Sequence, residues 1–191
     1  GGSSNSLVIS NGGTVANGFG YIGSLSSSNN SVLVTGTDSV WTNSGILSVG
    51  GSGSGNSLTI SNGSTVANTE GNIGTFSSSS NNSVLVTDGG TWTNSGILYV
   101  GRGGSSDSLV ISNGGTVVNT EGYIGFTNTA SNNSVLVTDG GTWTNSDSIY
   151  VGFFGSSNSL VISNAGTVVN SNGYIGYDSN STGNTVLVTD G

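Results

Sequence analysis

The chain has 191 residues, with one basic residue (Arg102) against nine acidic ones, no His, Cys, Met or Pro, and a net charge of -8. That balance excludes the clustered Lys and Arg of a nucleic-acid binder and of a segment that docks on anionic lipid. Without cysteine there is no disulfide stapling, and no apolar run approaches the ~18 residues of a membrane span.

Gly, Ser, Asn and Thr dominate, a composition shared with disordered linkers. The apolar residues, however, fall in short β-branched runs bounded by Asn-Gly or Asp-Gly turn signals. The first run is SLVIS at Ser6–Ser10, followed by the turn NGG and a second run TVAN, then GYIG from Gly20 and a Ser/Asn-rich loop. At Asn30 the pattern restarts as NSVLVTGTDSVWTN and GILSVG. It restarts again at 56, 82, 107, 133, 158 and 184, every 25 or 26 residues. The finer period is double: NSLVIS-type starts at Asn5, Asn56, Asp107 and Asn158, and the tryptophans Trp41, Trp92 and Trp143, are each 51 residues apart.

Three short strands per 25-residue unit predict one coil of a parallel β-helix, an all-β solenoid in which each strand stacks ~4.8 Å above its copy. Crossover chirality makes the right hand the default. Seven coils and a partial eighth span about 35 Å. We expect residues 1–191 to form a single solenoid and to be a window on a longer tandem array. The final TDG stops where the previous unit continues GTWTNSGILYVGR, which would bring the chain back into register with its own start.

Side chains alternate along a strand. Leu7 and Ile9 and their copies are expected to point inward, with a Val15/Trp41/Val66/Trp92 column in the second strand and Ile22/Val49/Ile73/Val100 in the third. Leu47, Leu98 and Ile149 also face in, opposite Gly20, Gly71 and Gly122. Asn17, Asn43, Asn68, Asn94, Asn119, Asn145 and Asn170 occupy one inward corner position in every full coil, where amides can pass hydrogen bonds from coil to coil.

Asp88, Asp139 and Asp190, equivalent to Asn11, Asn62, Asn113 and Asn164, fit a turn that needs positive φ. Successive copies lie ~9.6 Å apart, too far to share a proton. Glu70 and Glu121 are equally separated. Acid–base and nucleophilic chemistry has no constellation here, so we expect no enzyme, cofactor or metal site.

Outward columns point instead to surfaces. The first strand exposes Val8, Leu33, Leu85, Val110, Leu136, Val161 and Leu187, an apolar stripe suited to lateral contact or to cover by another part of a parent protein. The third exposes Tyr21, Tyr99, Tyr123, Tyr150 and Tyr174, suited to protein contact or sugar stacking. Thr91, Thr93, Thr142 and Thr144 form Thr-x-Thr rows like those of ice-binding solenoids, although only the Trp-type coils carry both threonines.

The succession NSLVISNGGTV, GYIG, NSVLVTDGGTW and TNSGILYVG resembles the type V secretion/PEP-CTERM-associated repeat of bacterial autotransporter passengers and other large exported surface proteins. The resemblance covers essentially the whole chain. It implies a right-handed β-helix on an extracellular or cell-surface stalk or adhesin, and it carries no catalytic residues. The expected partners are further copies of the rod or other surface proteins, with a glycan as the alternative; nucleic acid and membrane insertion are not expected.

Overall fold

A computed structural model describes residues 2–190. They form strands and turns without a helix, as a β-solenoid of about seven turns of about 26 residues. The first strands of successive coils build an eight-stranded sheet, and the second and third strands build two seven-stranded sheets, with all pairings parallel. In one coil the strands are Ser83–Val86, Thr91–Asn94 and Leu98–Val100.

Register is the decisive feature. Val84 pairs with Leu58 below and Leu109 above, and Val86 with Ile60 and Ile111. Equivalent positions therefore stack directly, and each column expected from sequence exists as a column in space. The inward columns are fully buried through the middle of the rod, among them Val34, Ile60, Val86, Trp92, Val117, Trp143, Val100 and Ile124. In the first and last coils, which have one neighbour instead of two, Leu7 and Ile175 remain exposed.

Two chemically different coils alternate. A Cβ added to Gly71 would lie 2.8 Å from Cζ2 of Trp92, 2.9 Å from Cδ1 of Leu98 and 2.5 Å from Oδ1 of Asn94. Gly20 meets Trp41, Leu47 and Asn43 in the same way, and Gly122 meets Trp143 and Asn145. Gly20, Gly71 and Gly122 thus leave the volume that the Trp-type coil above each of them fills. Real Cβ contacts do not fall this short, so the 51-residue period is a requirement of packing.

The corners are equally specific. Asn11, Asn62, Asp88, Asn113, Asp139 and Asn164 all have φ between 46° and 55°, as expected from the turn chemistry, and a glycine at φ 69–74° follows all of them except Asn164. There Ala165 takes the position at φ 59°. The first Trp-type coil solves its longer turn with Gly36 at φ 87° and Asp38 at φ 65°.

Gly71→Ala is expected to destabilise the rod by about 1–3 kcal/mol through overpacking. Trp92→Val in the same chain removes one of the three close contacts at that Cβ, so a double-mutant cycle in denaturant will show the two changes to be non-additive. Ala165→Gly relieves a left-handed alanine and should raise local stability by about 1 kcal/mol, measurable as slower amide exchange in the surrounding turn.

Candidate functional site

The surfaces follow from the same register. In the first sheet Val8, Leu33, Thr59, Leu85, Val110, Leu136, Val161 and Leu187 pair one on the next along the outer face. Val8 and Leu187 in the end coils are exposed, and the members between them are half-buried by their own neighbours. The second sheet aligns Thr91 with Thr65 and Thr116, and Thr142 with Thr116 and Thr167, all outward. Thr93 stands between Ala67 and Val118, and Thr144 between Val118 and Val169, so the second threonine row is interrupted at every other coil.

The third sheet departs from expectation. Its tyrosines do point outward, but Tyr99 and Tyr123 are only 7% and 8% exposed. The Tyr123 and Tyr150 rings stack at 4.7 Å and 4°, and the Tyr150 and Tyr174 rings at 4.8 Å and 8°, the spacing that strand pairing imposes. A second ladder, Phe126–Phe153–Tyr177, runs alongside at 5.4 and 4.6 Å. The two ladders meet edge to face, for instance Tyr123 with Phe126 at 5.1 Å and Tyr150 with Phe153 at 5.2 Å. Stacked rings use their faces on one another and present edges outward. Sugar stacking, one of the two uses open to this column from sequence, needs a free ring face, which the middle of the ladder lacks.

Toward the N-terminal half the ladder gives way to Ser48 and Asn72, and a recess of about 280 Å³ opens between Tyr21 and Arg102. Thr75 and Phe76 also line it. Arg102 lies 5.2 Å above the Tyr99 ring and 3.2 Å from Glu70, whose Oε1 also accepts from Asn72 Nδ2 at 2.8 Å. Oδ1 of Asn72 is buried without a partner. This recess interrupts the tyrosine column where Ser48 and Asn72 stand in place of the rings.

The asparagine column at the corner is structural, but it is a set of pairs rather than a continuous ladder. Trp92 Nε1 donates to Asn68 Oδ1 at 2.8 Å, and Asn68 Nδ2 donates to Asn94 Oδ1 at 2.5 Å. Trp143, Asn119 and Asn145 repeat this at 2.7 and 2.6 Å, and Trp41, Asn17 and Asn43 repeat it again. The indoles of Trp92 and Trp143 take Oδ1 of Asn68 and Asn119, the amides above Asn43 and Asn94, and Nδ2 of Asn43, Asn94 and Asn145 is buried without an acceptor. Asn170 has no Trp-type coil above it within the described residues and is half-buried.

A second and continuous ladder, absent from the sequence reading, runs through the coil starts. Asn5, Asn30, Asn56 and Asn82 each donate both backbone N–H and Nδ2 to Oδ1 of the next ladder residue, at 2.8–3.0 Å. Asn133 and Asn158 continue it. The glycine that ends each third strand packs against this ladder: a Cβ on Gly50, Gly101 or Gly152 would fall 2.1–2.3 Å from a ladder amide. That contact, with φ near 75°, explains the YIG and YVG endings.

The carboxylates stay dispersed. Asp88 Oδ1 accepts from Asn113 of the next coil at 3.3 Å, and Glu121 accepts from the Tyr123 hydroxyl at 3.2 Å. Burial, then Glu121, pushes the Tyr123 phenol well above the ordinary tyrosine range; burial also leads the upward shifts of Tyr99 and Tyr150. A phenol whose folded pKa is raised holds its proton more tightly when folded, so its contribution to stability is present below pH ~10 and is lost as pH rises beyond. Alkaline titration is expected to show phenolate absorbance from these tyrosines only as the third sheet comes apart, and Glu121→Gln should bring Tyr123 to a lower pH. Comparison with protein-family models, curated proteins and solved structures returned no match.

Proposed function

We propose that this chain is a non-enzymatic structural segment: a rigid β-solenoid of an extracellular or cell-surface stalk, fibre or adhesin, in keeping with the resemblance to autotransporter-type repeats. The observation that carries the reading is the in-register stacking of every coil on the next. All three sheets are bonded along one axis, so axial load is shared by parallel strands, and each outward group is presented as a regular array. Contact between rods through the Val8–Leu187 stripe gains from that multiplicity, because many weak identical contacts act together. The dispersal of the carboxylates, with Asn113 set between Asp88 and Asp139, favours a mechanical role over a catalytic one.

Sedimentation and electron microscopy of the purified chain over a wide concentration range test this directly. Lateral bundles that disperse on combined Leu85→Ser and Leu136→Ser substitution are the expected result. A chain that stays monomeric at high concentration, with or without those changes, removes the lateral contact.

The recess between Tyr21 and Arg102 supports a second reading, a glycan-binding module. Tyr21 and Phe76 are about 60% exposed there, beside Ser48, Asn72 and the guanidinium, and aromatic faces next to polar groups are what a saccharide requires. Saturation-transfer NMR with soluble oligosaccharides decides it: contacts abolished by Phe76→Ala support the module, and silence across the panel ends it. The threonine rows are tested by ice-recrystallisation inhibition and its loss on Thr91 and Thr142 replacement.

A further inference from the structure

Seven of the eight coil-start positions in the ladder are asparagine, and one is Asp107. Below it the ladder is intact: Asp107 Oδ1 accepts from Asn82 N at 2.8 Å and from Asn82 Nδ2 at 3.0 Å. Above it, the Asp107 backbone N–H still donates to Asn133 Oδ1 at 2.9 Å. The side-chain bond that every asparagine adds at this point is missing, because a carboxylate has no N–H. Oδ2 of Asp107, in a fully buried residue, has no partner.

That oxygen occupies the place of the missing amide nitrogen. A Cβ on Gly74 would meet Asp107 Oδ2 at 1.8 Å, as one on Gly125 would meet Asn158 Nδ2 at 2.1 Å. From the other side, a Cβ on Gly104 would meet Asp107 Oδ2 at 2.5 Å, as one on Gly155 would meet Asn158 Nδ2 at 2.9 Å. In its place Asn158 Nδ2 donates to Asn184 Oδ1 at 3.1 Å and to the Ala130 carbonyl at 3.2 Å. The corresponding acceptors around Asp107 are Asn133 Oδ1 and the Ser79 carbonyl, which cannot donate to an ionised oxygen.

We propose that Asp107 is a proton-operated rung: protonated on Oδ2 it donates to Asn133 Oδ1 and completes the ladder, and ionised it leaves the joint to the next coil with the backbone N–H bond alone. One proton binds and no other bond changes. The rod therefore has a single joint that is tightened by acid and loosened toward alkaline pH.

The surroundings leave this proton as the way to satisfy the site. The groups packed on Asp107 are Asn82 below, Asn133 above, Gly74 and Gly104 at its sides and the Ser79 carbonyl, and none is titratable or charged. Arg102, the one guanidinium, is engaged with Glu70 and Tyr99. Burial pushes the Asp107 carboxyl up to about 7, against the two Asn82 hydrogen bonds that pull it down. Because the folded value lies above the unfolded one, the stabilisation is complete at low pH. It is lost as pH rises from the unfolded value of 3.8 to about 7 and is level above that.

Urea unfolding of the whole chain and of Asp107→Asn, at pH values from about 4 to about 8, tests the proposal. In the natural chain the unfolding constant should rise by roughly tenfold per pH unit between about 4 and about 7, on the order of 10³ in all, and level off above that. In Asp107→Asn, which carries the missing N–H permanently, that rise should vanish, and the variant should exceed the natural chain most at pH about 8. A carboxyl-carbon NMR titration of the natural chain provides a second readout that does not depend on the variant folding. An Asp107 midpoint near the ordinary value of about 3.9, or the same pH dependence in both chains, overturns the proposal.

Discussion

Everything in this rod depends on one constraint: parallel strands paired without a register shift bring every side chain against its own copy ~4.8 Å away. Like must tolerate like, or the neighbours must be complementary. Aliphatic residues tolerate it, and the inner columns of the first sheet are Val, Leu and Ile throughout. Amides do more than tolerate it, since each carries donor and acceptor and can link to the next. The coil-start ladder and the tyrosine ladder are both answers to this constraint, one through hydrogen bonds and the other through stacked rings.

Tryptophan is the residue for which repetition at every coil fails, and the fold alternates it with valine and places glycine beneath it. The consequence reaches the polar corner, because the indole N–H claims the acceptor that would have extended the corner asparagines into a ladder. A choice made for packing thereby sets the hydrogen-bond pattern. The same logic explains why a lone aspartate is so consequential at the coil start: in a one-dimensional network each link has a single neighbour on either side, and the other groups beside Asp107 Oδ2 are acceptors.

Most of this was legible in the sequence because alternation and stacking are both periodic. The positions of Leu58, Trp92 and Ile124 follow from period two within a strand and period 25–26 between coils. The turn role of Asp88 and Asn113 follows from their exchange with one another. Three things were not legible. The pairing of Asn68 with Asn94 depends on which way an amide turns, although the constant 24-residue spacing from asparagine to tryptophan marked the partners. The ladder through Asn82 lies before the strand, where alternation no longer tells inside from outside. Burial of Tyr99 and Tyr123 depends on Phe126, Phe153 and Arg102, which sit beyond a glycine corner at positions held elsewhere by Ser24, Gly51 and Thr75.

The fit of Trp92 and Leu98 over Gly71 also restricts how such an array changes length over generations. Loss or gain of a single 25-residue coil would set two bulky coils against each other with no glycine between them, or two glycine coils with a void. Loss or gain of 51 residues keeps the alternation of glycine and tryptophan coils. Packing therefore favours exchanges in steps of whole double coils, which keep a glycine beneath each tryptophan. The long period visible in the sequence is the trace of that preference.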